Sequence, residues 1–180
     1  MPNPANGPDL ADGGLWLPSP HRSSRRGAAP RLIVVHCAEG IVDAARLGAW
    51  FAHPGSSVST HAGADPAGRL GRYVPSALAA WSVLDYNRVA LSVMLCTVAG
   101  AAVRYSPHDW RALRPMLDTA ARWIGVEAAA AGIPLVKLDG AQARADGAAG
   151  VCGYEDLVPR ATGPGPAFPW SYLLAEADHA

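Results

Sequence analysis

The sequence predicts an α/β fold, a single mixed β-sheet flanked by helices, and three observations predict it. Arg31-Leu32-Ile33-Val34-Val35-His36-Cys37 is a short, unbroken, β-branched-rich run of the kind that forms a fully buried strand. Trp110, Leu113, Leu117, Ala121 and Ile124 recur at helical spacing. Strand-like and helix-like segments then alternate along the chain, which favours one sheet covered by helices. At 180 residues, half of them apolar and 17% charged, the chain suits one globular domain with one real core.

Residues 1–29 hold Pro, Gly, Ser and Asn with a short basic run, Arg22 to Arg26, and read as an extended arm with one anchor, Leu15-Trp16-Leu17. The basic run reads as a solvated segment, with docking of the arm on a partner chain as the alternative. The domain proper is expected over 30–180. After the first strand, Ala45, Leu47, Ala49, Trp50 and Phe51 predict a short helix between Val42 and His53, stopped by Pro54-Gly55. Ser57 to Ala64 reads as a strand, Asp65-Pro66-Ala67-Gly68 as a tight turn, and Arg69 to Val74 as the returning strand. Arg88 to Val98 is a third buried strand. Ser106-Pro107-His108-Asp109 carries a hydroxyl cap, a first-turn proline and an early acid, and so opens a helix. Pro115 should kink or break it early, and Gly132-Ile133-Pro134 ends it. Leu135 to Leu138 and Gly150 to Tyr154 are short strands around a helical piece at 141–145. A loop, Glu155 to Pro169, leads to a last helix from Trp170 to about Ala177.

Fifteen basic residues balance fifteen acidic ones, so no long-range charge advertises a nucleic-acid or acidic-membrane partner. No apolar run approaches the roughly 20 residues that span a bilayer. The start, Met1-Pro2-Asn3-Pro4, lacks the charged and apolar regions of a secretory signal, so synthesis in the cytoplasm is expected. Three cysteines, Cys37, Cys96 and Cys152, each lie in an apolar stretch and read as buried free thiols. No nucleophile elbow, phosphate loop or dinucleotide fingerprint is present. Glu155 and Asp156 are adjacent, so they should diverge rather than act as a paired acid and base, and read as a solvated loop or a cap.

Several segments fall in the order found in one family. The strand ending in His36, followed by Cys37-Ala38-Glu39-Gly40, resembles the opening metal-ligand strand of the zinc-dependent N-acetylmuramoyl-L-alanine amidases, which share a fold with peptidoglycan recognition proteins. Val58-Ser59-Thr60-His61 with Asp65 to Leu70 is similar to their second strand and hairpin. Ala80-Trp81 followed by Asn87 looks like their substrate-groove loop. Gly150-Val151-Cys152-Gly153 through Pro164-Gly165-Pro166-Ala167-Phe168-Pro169-Trp170 resembles their closing segment, most of all in lysins of actinobacterial phages. The likeness covers roughly residues 30–175.

The resemblance implies a catalytic zinc with three protein ligands and an open position for water, whose pKa the metal lowers to about 7. His36 stands at the first ligand position. Tyr154 stands at the second, where the family has histidine, and a phenol with a pKa of about 10 is a poor ligand. Gly163 stands at the third and offers no side chain. Thr60 and Met94 occupy positions where members carry a catalytic tyrosine or glutamate, Ala161 falls near an assisting lysine, and Ser82 follows Trp81 where a histidine is common. One family ligand of three remains. A rebuilt set from His36, His61, Cys96 and Cys152 has chemical logic, since imidazole and thiolate both suit zinc. Strand alternation excludes Cys37 from the His36 face and keeps Cys152 on the face of Tyr154. His61 otherwise reads as a core histidine that orders its strand by hydrogen bonding.

The expectation is a catalytically inactive amidase-fold protein that binds the cell wall or serves as a structural module, such as a phage virion component. Trp81, Tyr86, Asn87 and Tyr154 would line the groove for peptidoglycan or a muropeptide. Protein partners would dock through the arm, no cofactor is needed, and the protein would reach its target in a particle or on release at lysis. The alternative is an active zinc-dependent peptidoglycan amidase with non-standard ligands.

Overall fold

A computed structural model describes residues 14–98, 107–159, 161 and 163–180. The main sheet has six strands: β1 (Leu15–Trp16), β3 (Leu32–Cys37), β4 (Ala62–Ala64), β5 (Leu70–Arg72), β7 (Ala90–Leu95) and β8 (Gly150–Gly153). Their order is β1-β5-β4-β7-β3-β8, and only the β4–β5 hairpin is antiparallel. A separate two-stranded ribbon pairs β2 (Arg22–Ser24) with β6 (Leu78–Ala80). The mixed α/β architecture is the one the sequence predicts.

Alternation along β3 divides the core. Ile33, Val35 and Cys37 face α3 (Arg114–Ala131) and α6 (Trp170–Asp178), joined by Met116, Leu117, Trp123, Ile124 and Leu173 in the largest apolar cluster. Each such fully buried side chain contributes about 1.5–3 kcal/mol. Leu32 and Val34 face the other way, toward Ala143 of α4 (Gly140–Arg144) and Leu157 of α5 (Tyr154–Leu157). A third cluster joins Leu47 and Phe51 of α1 (Ala44–Ala52) to Tyr73 and Cys96.

Local chemistry sets the boundaries. Asp43 caps α1 by accepting the Arg46 amide at 2.7 Å. The turn at Asp65 closes through the Gly68 amide and the Asp65 carbonyl at 2.8 Å, with Gly68 at a φ of 79°. Pro115 breaks the long helical run as expected: α2 (Pro107–Ala112) stops, and α3 restarts with Pro115 in its first turn. Gly132 ends α3 in the left-handed conformation, φ 67°. The Ser106 cap lies outside the described residues.

Four expectations need correction. The strand expected at Ser57–Ala64 is confined to Ala62–Ala64; ahead of it, single backbone bonds from Ser59 to the Trp81 carbonyl and from His61 to the Ser92 carbonyl, with side-chain bonds of Ser59, Thr60 and His61 to Trp81, Ser92 and Leu78, hold an irregular segment. Leu135–Leu138 contributes only a bridge from Lys137 to Val151. The loop expected from Glu155 begins as α5, which Tyr154 heads. Residues 14–29 are woven into the domain rather than extended from it: β1 lies on β5, β2 lies on β6, and Ser19, His21 and Arg25 are buried. Arg25 is far from solvated. Its guanidinium donates to the carbonyls of Ser76 (3.0 Å), Arg88 (2.7 Å) and Ala90 (3.1 Å) and meets His61 Nε2 at 3.1 Å.

Candidate functional site

The β-branched run that buries β3 carries His36 to its carboxyl end, on the sheet face shared by α1 and by α4–α5. His36 is 4% exposed, and burial pushes its pKa down to about 3, so the imidazole is neutral. The Tyr154 ring stacks on it at 4.5 Å, tilted by 30°. Nε2 of His36 is buried with no hydrogen-bond partner.

The neighbouring occupant is Glu155. A Cβ built on Gly163 would fall 1.4 Å from Glu155 Oε2, and one on Gly153 would fall 2.4 Å from it. Both glycines therefore make room for this carboxyl. Oε1 accepts the Gly165 amide at 3.4 Å, Oε2 is buried without a partner, and burial holds the carboxyl above its ordinary pKa. Asp156 turns the other way. Its Oδ2 accepts the Gly153 amide at 2.8 Å and Lys137 Nζ at 2.7 Å, so it caps α5. Divergence and a cap were expected; a half-buried Glu155 with its Oε2 enclosed beside Gly163 was not. Nothing in local sequence reports a contact between Glu155 and Gly163, and the pair of glycines was the one available hint.

The other candidates do not converge. His61 is 2% exposed, engaged by Ser92, Leu78 and Arg25, and held neutral by burial with a pKa of about 3. Thr60 Oγ1 donates within the same network, at 2.9 Å from both the Ser92 carbonyl and Ser92 Oγ, and Ser82 Oγ donates to Ser92 Oγ at 2.9 Å. Cys96 lies in the α1 cluster with Met94 packed beside it. Cys152 sits opposite Val34, a step of two residues, roughly 6–7 Å, short of His36, and burial pushes its thiol up to about 12. Cys37 is on the opposite face, as alternation requires. All three cysteines are free and buried. Ala161 is half-buried and bonds its amide to the Val158 carbonyl at 3.0 Å.

Among the expected groove residues, Trp81 is 39% exposed and lies 5.5 Å from the His21 ring. Tyr86 is half-buried against the α4–α5 cluster. Asn87 uses its Oδ1 locally, accepting the Ser82 and Val83 amides at 3.0 and 2.7 Å, so it shapes the loop. Open cavities away from this site include one of about 240 Å³ between Trp110, Arg114 and Tyr172, and one of about 300 Å³ by Arg69 and Arg122.

A catalytic zinc takes three protein ligands. Among the described residues, no three His, Cys, Asp or Glu side chains are grouped so as to hold a metal. His36 and Glu155 present two unpartnered donors, which falls short of that set. Nor is any described helix long and apolar enough to cross a membrane.

No protein-family model matches the sequence, and no curated protein matches it. Solved structures do. A selenomethionine AmpD derivative superposes with a TM-score of 0.67 at 23% identity, over 93% of this chain and 95% of that one. A mutant endolysin from Bacillus subtilis matches at 0.61 and 16% identity, over 90% and 96%. The N-acetylmuramoyl-L-alanine amidase LysC from Clostridium intestinale matches at 0.58 and 12% identity, over 87% and 89%. Covered over nearly its whole length by these structures, this chain has the fold of the N-acetylmuramoyl-L-alanine amidases.

Proposed function

We propose that this amidase-fold protein is catalytically inactive and acts as a cell-wall-binding or structural module, in a phage particle or on release at lysis. One observation carries the reading: the place of a side chain at 163 is filled by Glu155, while Tyr154 lies on His36, so the end of β3 is packed by protein groups and presents two donors instead of three. A peptidoglycan partner is supported by the likeness to a Staphylococcus aureus hydrolase, AmiA, solved with its ligand. Exposed Trp81, propped by His21, supplies an aromatic surface of the kind that apolar-walled clefts use.

The second reading, an active zinc amidase with non-standard ligands, is favoured by the unpartnered His36 Nε2 and Glu155 Oε2. Three measurements on the full chain separate them: zinc content after purification with zinc, release of stem peptides from purified sacculi, and co-sedimentation with those sacculi. Sedimentation without zinc or hydrolysis is the expected outcome for a wall-binding module. Neither binding nor hydrolysis leaves the structural role, and one tight zinc per chain with peptide release refutes the inactive reading.

A further inference from the structure

We propose that the cavity between β5 and α3 binds a phosphoryl group carried on a small apolar moiety, clamped by Arg69 and Arg122. It is separate from the end of β3. Its residues Leu70 and Trp123 belong to the cluster on the α3 face of the sheet, whereas His36 shares the opposite face with Leu32 and Val34. The cavity measures about 300 Å³ and places Arg69, Arg72, Arg122 and Thr119 over apolar Leu70 and Trp123. Among the described residues, no Asp or Glu side chain lines it. Basic and acidic residues balance over the whole chain, so three arginines around one hollow are a local concentration.

The two clamping guanidinium groups come from different elements and are already oriented. Arg69, which follows the Asp65 turn, donates from Nε to Asp65 Oδ2 at 3.0 Å, and Asp65 is itself fixed by the Ala44 and Ala67 amides. Arg122, on α3, donates to Thr119 Oγ1 at 2.9 Å, and that hydroxyl donates to the Gly68 carbonyl at 2.8 Å. Two hydrogen bonds therefore tie the head of Arg122 to the residue that precedes Arg69. A guanidinium carries five N–H donors. Each of these two spends one on the scaffold, which sets its direction in advance and lowers the ordering cost of binding. A planar carboxylate is satisfied by a single arginine fork. Donors that approach from a hairpin and from a helix instead match a tetrahedral phosphoryl group, whose oxygens point several ways. The apolar floor favours an organic phosphate over the bare ion.

The test is calorimetric titration of the full chain, at fixed ionic strength, with phenyl phosphate, benzoate and inorganic phosphate. Saturable binding of phenyl phosphate is expected, with both other probes weaker. Arg122→Gln, at an exposed position of α3, should weaken phenyl phosphate by about tenfold or more, the effect of losing one hydrogen bond to a charged group. Arg46→Gln, at an exposed position of α1, should leave the affinity unchanged. Circular dichroism establishes that each variant is folded; if Arg122→Gln is not, Arg69→Gln takes its place with the same expectation. No saturable binding up to about 10 mM, where a millimolar site would be largely filled, overturns the proposal. Benzoate binding as tightly as phenyl phosphate overturns the phosphoryl assignment, and inorganic phosphate binding as tightly overturns the organic one. An equal loss in Arg46→Gln overturns the site itself, since general charge would then account for binding. None of these results bears on the end of β3, so the inactive-amidase reading is decided separately.

Discussion

Replacing Arg25 by methionine should cost about 3–5 kcal/mol. The side chain is 6% exposed and donates three hydrogen bonds to carbonyls from two separate parts of the chain, at Ser76, Arg88 and Ala90. Hydrogen bonds to a charged group contribute about 1.5–3 kcal/mol each. A plain sum of three would be roughly 5–9 kcal/mol, and desolvation of the guanidinium offsets part of it. Methionine keeps the apolar stem but leaves three carbonyls unsatisfied, which brings the net to the figure above, a large fraction of a typical 5–15 kcal/mol stability. Arg25→Lys should cost about half as much, since a point ammonium cannot span the carbonyls that the planar fork reaches. The assay is equilibrium urea unfolding. With a slope of about 2 kcal/mol/M, the methionine variant should unfold about 2 M earlier, and the segment 14–29 should become the first site of limited proteolysis. A midpoint within about 0.5 M of wild type would refute the claim that this arginine clamps the segment to the domain.

Gly125→Ala places a Cβ 2.2 Å from the Ala177 carbonyl oxygen, so α3 and α6 must separate; a loss of about 1–3 kcal/mol, read as a drop of several degrees in Tm, is expected, and an unchanged melt would contradict the close approach. His36 and His61 have folded pKa values near 3 against about 6.5 unfolded, so their neutral forms stabilise the fold fully above pH 6.5, and that contribution is lost as pH falls toward 3. From pH 7 to 5 the two together should remove at most about 4 kcal/mol, part of it offset by Glu155, whose raised carboxyl favours the folded state on acidification; equal urea midpoints at both pH values would count against burial of both imidazoles. Burial raises all three thiols, Cys96 and Cys152 to about 12, so Ellman's reagent should label none in the native protein and three after denaturation, whereas a fast native reaction would show a thiolate where the fold has none.

What the sequence disclosed follows the range of the interactions. The strand ending at His36 and the helix break at Pro115 were legible because β-branching, helical period and proline sterics act over a few residues. Segments held by distant partners were not. Arg22-Ser23-Ser24 carries no strand periodicity, yet it pairs with Leu78–Ala80, and Arg25 finds its carbonyls more than fifty residues away. Ser57 to His61 invited a strand by composition, but its polar groups bond to Trp81 and Ser92. At the site, the mismatches at 154 and 163 could be counted from the resemblance, whereas the carboxyl entering from 155 could be seen only once Gly153 and Gly163 were placed around it.

The first strand has one more consequence. β1 caps the β5 side of the six-stranded sheet, leaving two residues of pairing, Leu15 with Gly71 and Trp16 with Arg72, to shield an otherwise open row of amides and carbonyls. A row of that kind templates the addition of another chain. Trimming the protein to start near residue 30 would therefore do more than shorten it. It would bare that margin together with β6, the partner of β2, and turn a self-contained molecule into one prone to edge-to-edge aggregation.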